Sequence, residues 1–230
     1  MDSQERYLQE LLDKQARGEL KAKDRYAIPP QDMPVQDGVE RRSNMSEVAL
    51  GYTALQARLE AMRCLGCANA PCVEGCPVRI RIKDFVAEIA AGRFDHALAI
   101  IKENSLLPAV CGRVCPQEVQ CQERCTVGKK FKDPNMSVSI GRLERFVADL
   151  ASAGGQTPQV APSTGKKVAV IGSGPGGIVV AADTRRAGHE VTMFEAFHKP
   201  GGVKVYGIPE FRLPKKIVQE EIDVLEKMGV

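Results

Sequence analysis

Eight cysteines fall between positions 64 and 125 of this 230-residue chain, and none lies anywhere else. That crowding constrains the fold more than any other feature, because thiols so close together either pair or share a metal. They come as two sets. The stretch "RCLGCANAPCVEGCPV" places Cys64, Cys67, Cys72 and Cys76 at spacings of two, four and three, with Pro77 directly after. In "CGRVCPQEVQCQERC" the second set is Cys111, Cys115, Cys121 and Cys125, with Pro116 after its second member. Disulfide frameworks belong to small, loop-rich secreted chains that carry a signal peptide. The opening "MDSQERYLQELLDK" mixes acidic and basic residues and is no secretory signal, so the chain is expected to be cytoplasmic. In a reducing compartment, clustered thiols are read as metal or cluster ligands.

An iron–sulfur cluster needs several sulfurs converging on one compact core. A C-x2-C turn supplies that, and a proline after the last cysteine ends the loop. The ferredoxin run C-x2-C-x2-C-x3-C-P sends its fourth cysteine to the other cluster of a two-cluster protein. Here the middle spacing is four, but the x3-C-P departure is kept at Cys76-Pro77. Zinc sites pair two C-x2-C knuckles or mix in histidine. This chain has one C-x2-C, and its three histidines, His96, His189 and His198, lie outside both sets. Eight sulfurs divide into two four-ligand sites, so two 4Fe-4S clusters are expected, with zinc or structural cysteines as the plainer readings.

The rest of the chain divides around this centre. Residues 1–50 hold a short amphipathic helix and a proline-rich extended arm, "YAIPPQDMPVQDG". Residues 51–155 form the helical cluster domain. Thr53 with Gln56 makes a capping-box start, and the helix it opens delivers Cys64 and Cys67 at its end. Between the cysteine sets two short helices are expected, split near Gly92 with Asp95 as a cap. A further helix, "IGRLERFVADLASAG", is capped by Ser139 and carries the stripe Ile140, Leu143, Phe146, Val147 and Leu150. The Gly-, Pro-, Ser- and Thr-rich stretch 152–165 is a linker, with its end at 156–165 separating the domains. Residues 166–230 then turn to a β-α-β pattern. A net charge of +3 is too small to argue for nucleic acid or an anionic membrane. No run of eighteen apolar residues exists, the best stretch (168–182) being broken by four glycines. Neither nucleic acid nor membrane is therefore expected as a partner.

In "VAVIGSGPGGIVVAADTRRAGHEVTMFE", Gly172, Gly174 and Gly177 follow a strand and open a helix through Pro175 and Gly176. The first glycine permits a tight turn, the second lets backbone approach a pyrophosphate, and the third allows close helix–strand packing. Small Ala181 faces the sheet, and Glu195 closes the second strand 23 residues after the first glycine, where it would take a ribose hydroxyl. A carboxylate there repels the extra phosphate of NADP, which leaves FAD or NAD. The last helix ends at Gly229 with one valine after it. Such a helix normally feeds another strand, so the sequence is expected to stop partway through an α/β domain.

The motifs "CLGCANAPCVEGCPV", "LLPAVCGRVCPQEVQCQERC" and "VSIGRLERF" resemble the N-terminal domain of the glutamate synthase small subunit. The same module is similar to those of dihydropyrimidine dehydrogenase and of NADH-dependent ferredoxin:NADP oxidoreductase. The stretch "GVERRSNMSEVALGYTALQA" looks closest to stand-alone members, the ferredoxin:NADP oxidoreductase large subunit among them. The resemblance implies a mixed fold: an α-helical, ferredoxin-like domain with two 4Fe-4S clusters, then a truncated Rossmann-type FAD-binding domain. It also implies crossed ligation. Cys64, Cys67 and Cys72 would hold one cluster with Cys125, while Cys76 joins Cys115 and Cys121 on the other. In dihydropyrimidine dehydrogenase a glutamine completes that second set, and Glu144 falls at the matching position. Cys111 is its rival, and a solvated Glu144 is the plain alternative. "HKPGG" resembles a flavoprotein motif in which the backbone of Gly201 and Gly202 passes close to the flavin, which favours FAD. NADPH or NADH would bind a second domain in the full-length protein. The implied activity is electron transfer between NAD(P)H, FAD and the clusters. The partner would be a glutamate synthase large subunit, or a flavoprotein subunit with ferredoxin. A cluster-bearing docking module without catalysis is the alternative. No catalytic acid, base or nucleophile is implied.

Overall fold

The computed structural model describes residues 2–151 and 158–230. The part of the expected linker at 152–157, and with it the expected domain boundary near 155, lies outside the described residues. Two compact units emerge: one comprises the chain up to Val35 with Ala49–Ala151, the other Gln36–Val48 with the residues that follow the ninth helix.

The first unit is helical. Its elements are α1 (Ser3–Ala16), α2 (Ala22–Ala27), α3 (Ala54–Met62), α4 (Pro71–Gly75), α5 (Ile82–Ala90), α6 (Phe94–Lys102), α7 (Pro108–Val114), α8 (Thr126–Phe131) and α9 (Ile140–Ala151). The capping box read from Thr53 and Gln56 is present at α3, the Thr53 side chain accepting from Gln56 N at 3.2 Å and Gln56 Oε1 accepting from Thr53 N at 3.0 Å. Asp2 and Glu5 make the same reciprocal arrangement at α1. Gly92 separates α5 from α6 with φ at 80°, but Arg93 is the N-cap and Asp95 sits inside the first turn. Asp95 there still faces the positive end of the helix dipole, which is why the sequence signal was displaced by two positions rather than lost.

Leu59 and Met62 of α3, Phe85, Val86 and Ile89 of α5, Ile101 of α6, and Leu143 and Val147 of α9 share one core, into which Leu8 and Leu11 of α1 also pack. Cys121 and Cys125 belong to the same core. The expected α9 stripe is buried through Val147, while Leu150 is 51% exposed. Glu144 and Arg145, polar by type, are buried beside that stripe.

The second unit carries β1 (Lys167–Ile171), α10 (Pro175–Arg186), β2 (Glu190–Phe194), α11 (Val203–Tyr206) and α12 (Lys215–Lys227). The strands are parallel, with Val168 opposite Val191 and Val170 opposite Met193, and α10 is the crossover between them. Val170, Val191 and Ala181 form its core, so the small residue on α10 meets the sheet as its position implied. Residues 36–48 join this unit through Val48, whose N–H donates to Phe211 O at 3.0 Å.

Candidate iron–sulfur and dinucleotide sites

The end of α3 carries the first cysteines, and a buried ion pair fixes it. Glu60 and Arg63, with side chains 0% and 1% exposed, meet at 2.6 Å. Glu60 also accepts from Gln31 N and from Ser139 N, each at 2.8 Å. Arg63 donates to the carbonyls of Ser137 at 3.1 Å and Met136 at 2.6 Å. One pair therefore ties the residue before Cys64 to the segment that launches α9. Sequence reading missed it, although two opposite charges three apart on the packed face of a helix were its visible signal.

The two cysteine sets interleave. One cavity is lined by Cys64, Cys67, Cys72 and Cys125, and a second by Cys76, Cys111, Cys115, Cys121 and Glu144. Gly75 makes the interleaving possible: a Cβ on it would lie 2.7 Å from Gln120 O and 3.0 Å from Cys121 Cα. Only a residue without a side chain lets the second set come so close to the turn between Cys72 and Cys76. The thiols respond to one another along the same division. Burial, then the neighbouring Cys64 and Cys125, pushes Cys72 up to about 12. Burial, then Cys76, Glu144 and Cys115, does the same to Cys121, also to about 12. Cys111 is likewise pushed up to about 12 by burial, then by Glu144 and Cys115. Binding iron would displace these protons to solvent, as thiolate ligation requires.

Glu144 lies in the second cavity and is 5% exposed, so it is not the solvated glutamate of the plain alternative. Burial pushes its carboxyl up to about 8. Among the described residues its Oε1 has no hydrogen-bond partner. A buried carboxylate oxygen without a partner costs stability, and an iron ion would satisfy it. The donor set of each cavity, thiols in one and thiols plus a carboxylate in the other, fits an iron–sulfur cluster. Among the described residues no three Cys, His, Asp or Glu side chains converge on a point where a single ion would sit.

In the second unit each glycine of the turn has a visible task. Gly172 has φ at 92°, a left-handed conformation that closes the turn. A Cβ on Gly177 would meet Gly172 O at 2.0 Å, so this position holds α10 against the strand end. Gly174, the N-cap of α10, and Gly176 have open space where a Cβ would be, and Pro175 occupies the first helical position. The exposed N–H groups there are the kind that cradle a pyrophosphate. Gly202 has φ at 57°, and a Cβ on it would lie 2.8 Å from Gly174 Cα. Gly201 N donates to Ser173 Oγ at 2.9 Å. The glycine pair and the glycine turn therefore meet in one place.

Glu195, at the end of β2, accepts from Ser173 N at 2.9 Å and from the Ser173 hydroxyl, and from Phe197 N at 2.9 Å. Those bonds, the Ser173 hydroxyl's first, hold its carboxyl down at about 2. It is thus a fixed negative charge beside the turn, placed where a ribose hydroxyl would donate to it. Ser173, fully buried, was not singled out from the sequence, yet it links Glu195 to Gly201.

A helical domain whose cysteines line two cavities, followed by a β-α-β glycine turn, defines a class of iron–sulfur and dinucleotide-binding proteins. Residues 41–156 match the family described as dihydropyrimidine dehydrogenase domain II, 4Fe-4S cluster, and residues 170–213 match the NAD(P)-binding Rossmann-like domain. The chain belongs to that 4Fe-4S family. It is 39% identical over 191 residues to the NAD-dependent dihydropyrimidine dehydrogenase subunit PreT of Escherichia coli (strain K12), covering 83% of this chain and 45% of that protein. To the glutamate synthase (NADPH) small chain of Escherichia coli (strain K12) it is 34% identical, covering 83% of this chain and 40% of the other. The corresponding small chain of Halomonas elongata is 35% identical, with 87% and 42% covered. The chain thus spans less than half the length of these relatives. Among the described residues, no helix is long and apolar enough to cross a membrane.

Proposed function

We propose that this chain is the electron-transfer portion of an NAD(P)H-dependent oxidoreductase subunit of the glutamate synthase small-chain type. Electrons would pass between NAD(P)H, FAD and two 4Fe-4S clusters, to or from a partner subunit. The observation that carries the reading is the interleaving of the cysteine sets: Cys125 lines the cavity of Cys64, Cys67 and Cys72, and Cys76 lines that of Cys115 and Cys121. Two four-ligand sites built from one folded unit make sense for a pair of clusters and little sense for independent zinc knuckles.

Cys64, Cys67, Cys72 and Cys125 would hold the first cluster, and Cys76, Cys115, Cys121 and Glu144 the second. The clusters carry single electrons, and a flavin divides the two electrons of a hydride between them. Everything else falls to the residues. The apolar lining around the first cysteines, including Leu65, Ile82, Val86 and Val138, would lower the polarity around their sulfurs. The N–H groups at Gly174 and Gly176 would bind the FAD pyrophosphate, and Glu195 would take a ribose hydroxyl. Gly201 and Gly202 would let the backbone run close to the flavin, and Ser173 holds their loop to the turn. Relatives named as a subunit and as small chains support a partner subunit, with the glutamate synthase large subunit type as the first candidate.

Anaerobic purification followed by iron, sulfide and zinc analysis tests this directly, two cubane clusters requiring about eight irons per chain. Reduction of those clusters by NADH or NADPH is then expected in a chain extended to the length of the relatives. Zinc in place of iron, with no visible absorption, would overturn the reading.

A further inference from the structure

In each cavity a polar side chain is set directly against a cysteine sulfur. In the first, Cys67 Sγ lies 3.2 Å from Thr126 Oγ1. In the second, Cys115 Sγ lies 3.0 Å from Gln120 Oε1. Both partners line the cavities themselves. Thr126 opens α8 immediately after Cys125, so backbone geometry fixes its hydroxyl close to the sulfur. Gln120 follows the 3-10 turn Gln117–Val119 and immediately precedes Cys121.

With protonated thiols, sulfur donates and the side-chain oxygen accepts. Once the sulfur is a thiolate it can only accept. A hydroxyl reverses its role by rotating its hydrogen, and a primary amide by turning its NH2 toward the sulfur. Thr and Gln are therefore able to serve both states, which a carboxylate or a methyl group is not. A hydrogen bond to a ligating sulfur draws off negative charge and favours the reduced, more negative cluster. The surroundings differ as well. Lys83 lines the first site among apolar side chains such as Leu65, Ile82 and Val138, whereas the second holds Glu144 and Gln117.

We propose that Thr126 and Gln120 are positioning residues that set the two reduction potentials separately, Thr126 through Cys67 on one cluster and Gln120 through Cys115 on the other. The inference rests on the two-cluster reading above. It also has a consequence that linear order would not give: Thr126, directly after the second cysteine set, governs the cluster held mainly by the first.

The test is a potentiometric titration of the anaerobically reconstituted chain followed by electron paramagnetic resonance, with iron and sulfide measured on every sample. Thr126→Val is expected to move one wave to more negative potential and leave the other in place. Gln120→Leu is expected to move only the other wave. Thr126→Ser, which keeps the hydroxyl, should return the first wave to its wild-type position. Thr126→Ala and Gln120→Glu provide a second variant at each position in case the first holds no iron. Unmoved potentials at full iron content would overturn the inference, as would both substitutions moving the same wave. Loss of iron by every variant at a position would make that residue a requirement for holding the cluster and overturn its tuning role. A wild-type chain that binds no iron would instead fail the two-cluster reading itself.

Discussion

At the scale of single residues, Glu144 is the most informative side chain in the molecule. It sits in a wall of thiols, buried, with one carboxylate oxygen unpartnered among the described residues. Its cost to the iron-free protein and its use in the loaded one should therefore have opposite signs. Glu144→Leu removes an unsatisfied buried oxygen and is expected to stabilise the iron-free chain by about 1–3 kcal/mol in urea unfolding. The same substitution should halve the iron content from about eight toward about four per chain, while Cys111→Ala leaves it near eight. The converse pattern in iron would hand the fourth position to Cys111. The sequence put both candidates forward, and spacing alone had no means of choosing. Depth closes only the third option, a solvated glutamate on the flank of a stripe, because α9 packs Glu144 into the cavity that Cys111 also lines.

Among the elements, α3 and α9 matter most, because one leads into Cys64 and the other carries Glu144. The Glu60–Arg63 pair joins them through Ser137, Ser139 and Met136. Removing one partner strands a buried charge, so Glu60→Ala is expected to cost about 3–5 kcal/mol in equilibrium unfolding. Glu60→Leu combined with Arg63→Met should recover most of that loss, since an apolar pair of similar volume avoids the stranded charge. A double variant as unstable as the single one would show that the hydrogen bonds to the α9 segment, not the ion pair, dominate. Much at this scale was legible in advance. The capping box at Thr53, the break at Gly92 and the glycine turn before α10 are local chemistry, and local chemistry is written in neighbouring residues. Leu150 was misleading because helical period says which face a residue shares but not how far along the helix the core extends.

For the whole molecule, the decisive property is that each cavity is lined by cysteines of both sets. Cys125→Ala is expected to deplete the cluster held by Cys64, Cys67 and Cys72, although it lies 53 positions or more from them in sequence. Its signature should be loss of the resonance signal that Thr126→Val shifts, with the other signal retained. If Cys125→Ala instead removed the signal that follows Gln120, the sites would follow sequence order and the interleaving would have no ligand role. Residues 36–48 show the same separation of chain order from spatial grouping. They read as part of an N-terminal arm, yet they cluster with the β-α-β unit, to which Val48 is hydrogen-bonded.

The sequence by itself determined the ligand types, the number of cysteines, the helical character of their surroundings, and the turn, packing and carboxylate positions of the dinucleotide motif. These follow from short-range rules: cap geometry, glycine φ, residue chemistry and spacing within a few positions. Spacing left open which sulfurs share a cavity; the family resemblance implied a crossed grouping, and the tertiary structure brings those cysteines together because Gly75 admits the backbone of Gln120 and Cys121 at a distance no side chain permits. It alone buried Glu144, set Ser173 between Glu195 and Gly201, and brought Thr126 to Cys67. Contacts of this kind join residues remote in sequence, and their energies arise from burial and close approach, which no local pattern records.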